Sequence, residues 1–158
     1  MKIIGILGGM SAASTQIYYD KLCLLTNTRL GGLASPDLII RSVNFAEIED
    51  LQNKGAWLEA GTRLNYEAKK LESYGAELLV LATNTMHKLT DQIMHDVSIP
   101  MVHIADATAG VIVKAGFKAP ALIATKFTME QTFYTDRLIT KGLKPILPDD
   151  SSRRVIHD

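Results

Sequence analysis

The stretch "LLVLATNTMHK", Leu78–Lys88, decides the fold. It begins as a short apolar run, which is typical of a parallel strand buried on both faces. The run then changes abruptly to the small polar residues Thr83, Asn84 and Thr85. Ligands of open parallel sheets bind beyond the carboxyl ends of the strands. The stretch therefore predicts a buried strand with a binding position at its end.

Similar apolar runs recur on both sides of this strand and alternate with segments long enough for helices. Strands are predicted at Lys2–Gly9, Asp37–Val43, Glu77–Thr83, Pro100–Ala105 and Pro120–Thr125, with a weaker sixth at Leu143–Pro148. Helices are predicted at Ala12–Leu30, Ala56–Tyr74, Met86–Asp96, Asp106–Ala115 and Met129–Lys141. This alternation predicts an α/β fold, in which parallel sheets are flanked by helices and joined by right-handed crossovers.

Residues at the helix ends support this pattern. Gly75, Gly116 and Gly142 each follow a predicted helix directly, where a residue with positive φ closes the last turn. Thr128 and Gln131 have the T-x-x-Q spacing of a capping box, which predicts that a helix begins right after the strand ending at Thr125.

The sequence also contains an approximate internal repeat. "KIIGILGGMSA", a helix and "SPDLIIRSVNF" follow each other in the same order as "KAPALIATKFTM", a helix and "GLKPILPDD". This repeat predicts two similar domains, over residues 1–104 and 105–158. Since the second copy stops before a third strand, we expect the second domain to be incomplete in this chain.

Composition limits the classes of partner and site. Seventeen basic residues balance seventeen acidic ones without a basic stripe, so neither nucleic acid nor a membrane is a predicted partner. Met1 leads directly into a strand-like segment instead of a signal peptide, which predicts a cytoplasmic location. The single cysteine cannot form an internal disulfide, and the four histidines lack zinc spacing, so no metal site is predicted.

Three predicted strand ends carry hydroxyls and small residues at the start of a helix, namely Gly8–Ser11, Thr83–Thr85 and Thr125–Thr128. Backbone N–H groups at the positive end of a helix favour an anion such as a carboxylate. Ser, Thr and Asn are also favoured as helix caps, so a purely structural role is the alternative. "GILGGM" does not match the dinucleotide fingerprint, and no P-loop is present, which disfavours a nucleotide enzyme.

Two other candidates for catalysis have a simpler structural interpretation. Cys23 lies in a predicted amphipathic helix and is expected to be a small core residue. Glu47, Glu49 and Asp50 are expected to form a solvated helix start; paired catalytic carboxylates are the alternative.

Six motifs occur in an order that resembles the aspartate/glutamate racemase family, the pyridoxal-phosphate-independent amino-acid racemases, in its broad-specificity subgroup. They are "IGILGGMS" (Ile4–Ser11), "RLGGL" (Arg29–Leu33), "SVNFAEIE" (Ser42–Glu49), "ATNTMHK" (Ala82–Lys88), "HIADAT" (His103–Thr108) and "ATKFTMEQTFY" (Ala124–Tyr134). The resemblance implies two Rossmann-like domains facing each other across a cleft, a small amino-acid substrate such as aspartate or glutamate, and no cofactor. It also suggests a homodimer, with "RLGGL" and the first helix as candidate surface.

The family reaction implied by this resemblance uses two cysteines, one from each domain. One thiolate removes the Cα proton from one face of the substrate, and the other thiol protonates the opposite face. Carried over by position, the resemblance implies a set of substrate-binding residues. These are Met10, Ser11 and Gln52 in the pocket, Asn84 and Thr85 on the substrate carboxylate, and Thr125 and Lys126 on the opposing wall.

Thr83 stands where the family has its first catalytic cysteine. A threonine hydroxyl is much less acidic than a thiol, so we expect Thr83 to be a poor base that could still pass on a proton. The second cysteine would belong to a strand that this sequence does not contain. We therefore expect the 158-residue chain alone to be inactive, and a longer protein to process L and D substrates at unequal rates.

The sequence leaves two alternative functions open. Related one-cysteine members of the superfamily decarboxylate or isomerise small dicarboxylates. The second alternative is a homologue that binds an amino acid without catalysis, and it is motivated by Thr83.

Overall fold

The computed structural model describes residues 1–157; Asp158, the last residue of the predicted second domain, lies outside the described residues. The chain divides into two compact units, the first from Met1 to Val102 and the second from His103 onward.

The first unit is built on a four-stranded parallel sheet. Its strands are β1 (Ile4–Gly8), β2 (Leu38–Ser42), β3 (Leu78–Leu81) and β4 (Met101–Val102), in the order β2-β1-β3-β4. The register pairs Ile4 with Leu38 on one side and with Leu78 on the other. A parallel sheet flanked by helices confirms the predicted fold class.

Helices connect these strands. They are α1 (Ala12–Leu30), α2 (Phe45–Asn53), α3 (Trp57–Ser73), a 3-10 helix (Thr85–Leu89) and α4 (Thr90–Ile93). The predicted helix at Met86–Asp96 is thus shorter and divided in two. After β2 the chain returns past β1, so that β3 and β4 lie on the other side of β1 from β2. Because crossovers are right-handed, α1 and α3 lie on opposite faces of the sheet.

The hydrophobic core of the first unit fills the face covered by α3. Ala60, Leu64, Ala68 and Leu71 recur at helical spacing, and each is at most 1% exposed. They pack with buried strand residues that include Leu7, Leu79 and Leu81.

One carboxylate is buried beside this core. Glu67 of α3 is 1% exposed and accepts hydrogen bonds from Arg41 of β2, at 2.6 and 3.1 Å. Arg63, one turn earlier on α3, donates to it at 2.5 Å. The two guanidinium groups compensate the buried charge, which would otherwise be costly.

The first helix is the least buried long element. Only Thr15 is buried among the 19 residues of α1. Ile17, Leu24 and Leu25, here called the α1 apolar face, are 50–59% exposed. Cys23 is half-buried, so the expectation that it is a core residue is wrong.

The second unit contains four helices and a short strand pairing within the described residues. The helices are α5 (Ile104–Lys114), α6 (Lys126–Glu130), α7 (Thr132–Thr140) and α8 (Asp150–His157). A single parallel bridge joins Ala121 to Ile146. Its core is small and holds Ala105, Ala109, Tyr134, Leu138 and Leu143.

Several expected boundaries are wrong in this part of the chain. The strand predicted at Pro100–Ala105 ends at Val102, because the His103 side chain accepts the Ala105 N–H at 3.2 Å and begins α5. The strands predicted at Pro120–Thr125 and Leu143–Pro148 shrink to the one bridge. The helix predicted at Met129–Lys141 begins earlier, at Lys126 directly after Thr125, and is divided into α6 and α7.

The predicted helix-closing glycines are confirmed. Gly75, Gly116 and Gly142 have φ values of 99°, 81° and 79°, which is the left-handed region that glycine adopts without strain. Through residue 157, no helix combines the length and apolar character that crossing a membrane requires.

Candidate functional site

The candidate site lies at the carboxyl edge of the first unit's sheet. The central strands β1 and β3 are neighbours, and the register pairs Leu7 with Leu81. The chain leaves β1 toward α1 on one face of the sheet and leaves β3 toward α4 on the other. A crevice opens at such a reversal in open parallel sheets, and ligands bind there. The two loops that border it are Gly9–Ser11 and Thr83–Thr85.

The loop after β1 is closely packed against its surroundings. Gly9 has φ of 91°, and a Cβ atom there would overlap the Val43 carbonyl oxygen. A Cβ on Gly8 would overlap the Thr15 hydroxyl. Gly9 N–H donates to Thr15 Oγ1 at 2.8 Å, and that hydroxyl donates to the Ser11 carbonyl at 3.1 Å. Small residues are therefore required for the loop to reach this position.

The three pocket residues expected in the first unit lie in different environments. Met10 is 7% exposed and packs in the hydrophobic core. Ser11 caps α1, with its Oγ accepting the Ser14 N–H at 3.4 Å. Gln52 is half-buried near the end of α2. Ser11 thus has a structural role of its own in addition to any contact with a ligand.

The loop after β3, Thr83–Thr85, is here called the strand-end loop. Thr83 is half-buried, Asn84 is exposed and Thr85 is 8% exposed. The strand is held to β1 up to the start of the loop, since Ala82 N–H donates to the Leu7 carbonyl at 2.9 Å. The 3-10 helix begins at Thr85, the last residue of this loop, and its His87 is 2% exposed.

Two residues that were not singled out in the sequence lie close to this edge. Because α3 runs antiparallel to the strands, its first residue, Trp57, lies at the carboxyl edge of the sheet. Lys88 Nζ is 3.5 Å from the centroid of the Trp57 ring, a cation–π contact. Burial lowers the pKa of Lys88, because desolvation disfavours the ammonium form. No local pattern predicts this pair, since its members lie 31 positions apart in the sequence.

The other two expected binding residues belong to the second unit. Thr125 is the residue before α6, and Lys126 is exposed in its first turn. The Thr125 hydroxyl is 3.4 Å from that of Thr128, whose side chain is 1% exposed.

Few groups with strong chemical reactivity occur near the strand-end loop. Thr83 offers a hydroxyl, and the only thiol of the sequence is Cys23 on α1. Glu47 lies exposed in the first turn of α2 and accepts a hydrogen bond from Asn44 at 3.1 Å, which agrees with a solvated helix start. In residues 1–157, no cluster of three or more His, Cys, Asp or Glu side chains is arranged to hold a metal ion.

Comparison with known proteins places this chain in a family. A family model described as Asp/Glu/Hydantoin racemase matches residues 7–158. The broad specificity amino-acid racemase RacX of Bacillus subtilis is 28% identical over 155 residues, a match that covers 93% of this chain and 65% of RacX. The chain thus spans slightly less than two thirds of this curated relative.

Solved structures give the same result. A candidate Asp/Glu racemase from Yersinia pestis superposes with a TM-score of 0.93 at 45% identity, covering 99% of this chain and 69% of the neighbour. An aspartate racemase homologue from Pyrococcus horikoshii gives 0.87 at 39% identity, with the same coverage. The aspartate racemase of Picrophilus torridus gives 0.78 at 26% identity, covering 98% and 66%. With a family model matching residues 7–158, the chain belongs to the Asp/Glu/Hydantoin racemase family.

Proposed function

We propose that this chain carries the carboxylate-binding part of a cofactor-independent amino-acid racemase. The observation that carries the proposal is the meeting of two small polar loops, Gly9–Ser11 and Thr83–Thr85, where the strand order of the sheet reverses. Membership of the racemase family and the similarity to RacX support an isomerase acting on amino acids. The substrate proposed is a small amino acid such as aspartate or glutamate.

In this proposal the strand-end loop binds the substrate carboxylate. Asn84 and Thr85 offer an amide and a hydroxyl at the start of a 3-10 helix, where donors favour an anion. Met10, Ser11 and Gln52 would border the same pocket. The assignment of Thr125 and Lys126 to substrate binding stays a prediction from the family resemblance.

The chemistry proposed is transfer of the Cα proton. A Cα proton is very weakly acidic, so a racemase without a cofactor needs a strong base and electrostatic stabilisation of the carbanion. Thr83 stands at the position of the first family cysteine, and its hydroxyl is suited to donating a proton more than to removing one. We therefore propose that the chain alone is inactive and that a longer product uses a downstream cysteine as its base.

The test is proton NMR in D₂O, following the Cα signals of L- and D-aspartate and L- and D-glutamate. It is run on this chain and on the complete product of its reading frame. We expect exchange by a complete product longer than 158 residues, with unequal initial rates for the two enantiomers. Turnover by the pure 158-residue chain would refute its proposed inactivity. If the complete product catalyses no exchange, the racemase proposal fails.

Thr83 also favours a second candidate function, the binding of an amino acid without chemistry. In that case the complete product would bind aspartate or glutamate, and the Cα proton would stay in place indefinitely. Binding is read from the amide shifts of the strand-end loop, so the same NMR samples distinguish the two functions.

A homodimer is a further part of the proposal, and the α1 apolar face supports it. A groove of about 290 Å³ lies on this helix, lined by Ile17, Tyr18, Lys21, Leu22 and Leu25. Large exposed apolar patches commonly mark protein interfaces. A cytoplasmic location stays a prediction from the sequence.

A further inference from the structure

His87 is a buried titratable residue to which the proposed function gives no role. It lies on the 3-10 helix that begins at Thr85, the last residue of the strand-end loop, and it is 2% exposed. Its Nδ1 is 2.7 Å from the carbonyl oxygen of Thr83. A carbonyl oxygen can only accept, so Nδ1 carries the proton in this contact and donates it.

A second hydrogen bond joins His87 to the same loop. The backbone N–H of His87 donates to the Asn84 carbonyl at 3.1 Å. The carbonyl oxygens of two successive loop residues, Thr83 and Asn84, therefore both point toward His87. Carbonyl oxygens repel a carboxylate, whereas N–H and hydroxyl groups attract it, so their direction matters for an anion site.

We propose that His87 is a positioning residue for the carboxylate site. By holding the Thr83 carbonyl, its imidazole fixes the backbone at the end of β3 and sets how Asn84 and Thr85 face a substrate. The inference rests on the proposed function in one respect, the identity of the ligand as an amino-acid carboxylate.

Thr90, the first residue of α4, provides a matched control. Thr90 Oγ1 donates to the backbone carbonyl of His87 at 2.6 Å. Thr90→Val removes this hydrogen bond and loosens the helix, but leaves the bond between the imidazole and Thr83 intact. His87→Leu removes the imidazole donor, and His87→Asn supplies an amide N–H close to the position of Nδ1.

The experiment uses the full 158-residue chain, labelled with ¹⁵N, and L- and D-aspartate and L- and D-glutamate as probes. Affinity is measured from amide shifts, and amide hydrogen exchange is measured at Asn84 and Thr85. Urea unfolding gives the free energy of unfolding of each variant. We expect His87→Leu to bind the amino acids about tenfold more weakly. This corresponds to the loss of about one charge-assisted hydrogen bond between the strand-end loop and the substrate carboxylate. His87→Asn should recover most of the affinity, and Thr90→Val should stay within about twofold of the wild type at a similar loss of stability.

Two results would overturn the inference. One is wild-type affinity in His87→Leu, and the other is an equal loss in His87→Leu and Thr90→Val, which would mean a general structural effect. If the wild-type chain binds none of the four amino acids, the proposed function fails for this chain. The positioning role is then decided by hydrogen exchange alone. It requires faster exchange at Asn84 and Thr85 in His87→Leu than in Thr90→Val, with recovery in His87→Asn, and any other pattern overturns it.

Discussion

At the scale of single residues, Thr83 decides what chemistry the proposed site can perform. It is half-buried and is the first residue of the strand-end loop, just beyond β3. A thiol ionises near neutral pH when its surroundings favour the anion, whereas an alcohol stays protonated. The exchange of a thiol for a hydroxyl therefore separates a base from a weak proton donor.

We predict that Thr83→Cys raises the rate of Cα proton exchange by the complete product at least about tenfold, because a thiolate becomes available as a base. The measurement is the NMR assay in D₂O with both enantiomers of aspartate. Thr83→Ser is the matched control, since it keeps a hydroxyl and should stay close to wild type. Equal rates for the cysteine and serine variants would contradict the role given to this position.

Gly9 gives a second prediction at this scale. Gly9→Ala should destabilise the chain by about 3 kcal/mol, because the new Cβ overlaps the Val43 carbonyl at a positive φ. Gly75→Ala separates the effect of the positive φ from the effect of the overlap. Its φ of 99° is equally unfavourable for alanine, but the new Cβ has no atom within 4 Å. We expect the control to lose only about 1–2 kcal/mol in urea unfolding. A similar loss in both variants would mean that the loop after β1 is not closely packed.

At the scale of elements, the contact between α3 and β2 depends on one buried carboxylate. The hydrogen bond from Arg41 lowers the pKa of Glu67, and both guanidinium charges act in the same direction against desolvation. A carboxyl group with a lowered folded-state pKa stabilises the fold above its unfolded pKa. That stabilisation is lost as the pH falls from the unfolded pKa through the folded one.

We predict that Glu67→Gln costs about 2 kcal/mol of unfolding free energy at pH 7, since the buried side chain loses its charge-assisted hydrogen bonds with Arg41 and Arg63. The difference between wild type and variant should shrink as the pH falls below 4.5, the ordinary value for this carboxyl group. Urea unfolding at pH 7 and at successively lower pH measures both effects. Asp50→Asn, in the exposed pair with Lys54, should change stability by less than about 1 kcal/mol. A pH-independent difference would contradict the ionised state of Glu67.

Strands β1, β2 and β3 and helices α1 and α3 could be predicted from the sequence because their signals are local, whereas α2 is absent from the predicted helices. The apolar runs at β1, β2 and β3 are continuous, and the apolar spacing of α3 is regular. In the second unit the predicted helices and strands agree less well with the structure, for a physical reason. Its capping box failed because Thr128 is 1% exposed inside α6 and Gln131 is extended between α6 and α7, so burial overrode the local capping preference.

The candidate site could be predicted only in outline. The polar residues after β1 and β3 are visible in the sequence, and the order of the strands brings them together. The burial of Met10 in the core and the contact between His87 and Thr83 depend on packing, which no local pattern reports.

At the scale of the whole molecule, the α1 apolar face exposes three large apolar side chains along one helix. A helix with one buried residue gains little from packing against its own sheet. We predict that Leu25→Asp shifts the chain from dimer to monomer, because a charge in the groove opposes its burial at an interface. Sedimentation velocity over a range of concentrations is the measurement.

Leu58→Asp is the matched control for the dimer, since Leu58 is 74% exposed and lies in the first turn of α3, where an acidic residue is favourable. It should leave the sedimentation coefficient unchanged. A wild-type chain that sediments as a monomer at all concentrations, or a dimer that survives Leu25→Asp, would exclude this helix as the interface.

The strand order also has a consequence for how the protein folds during synthesis. β1 is made first, yet its neighbours in the sheet begin at Leu38 and Leu78, far along the chain. Such distant pairings must wait for the intervening polypeptide, which slows folding relative to a helical domain of the same size. While the ribosome completes the first unit, β1 and the apolar side chains of α1 stay exposed, and chaperones would have their longest opportunity to bind the nascent chain at this end.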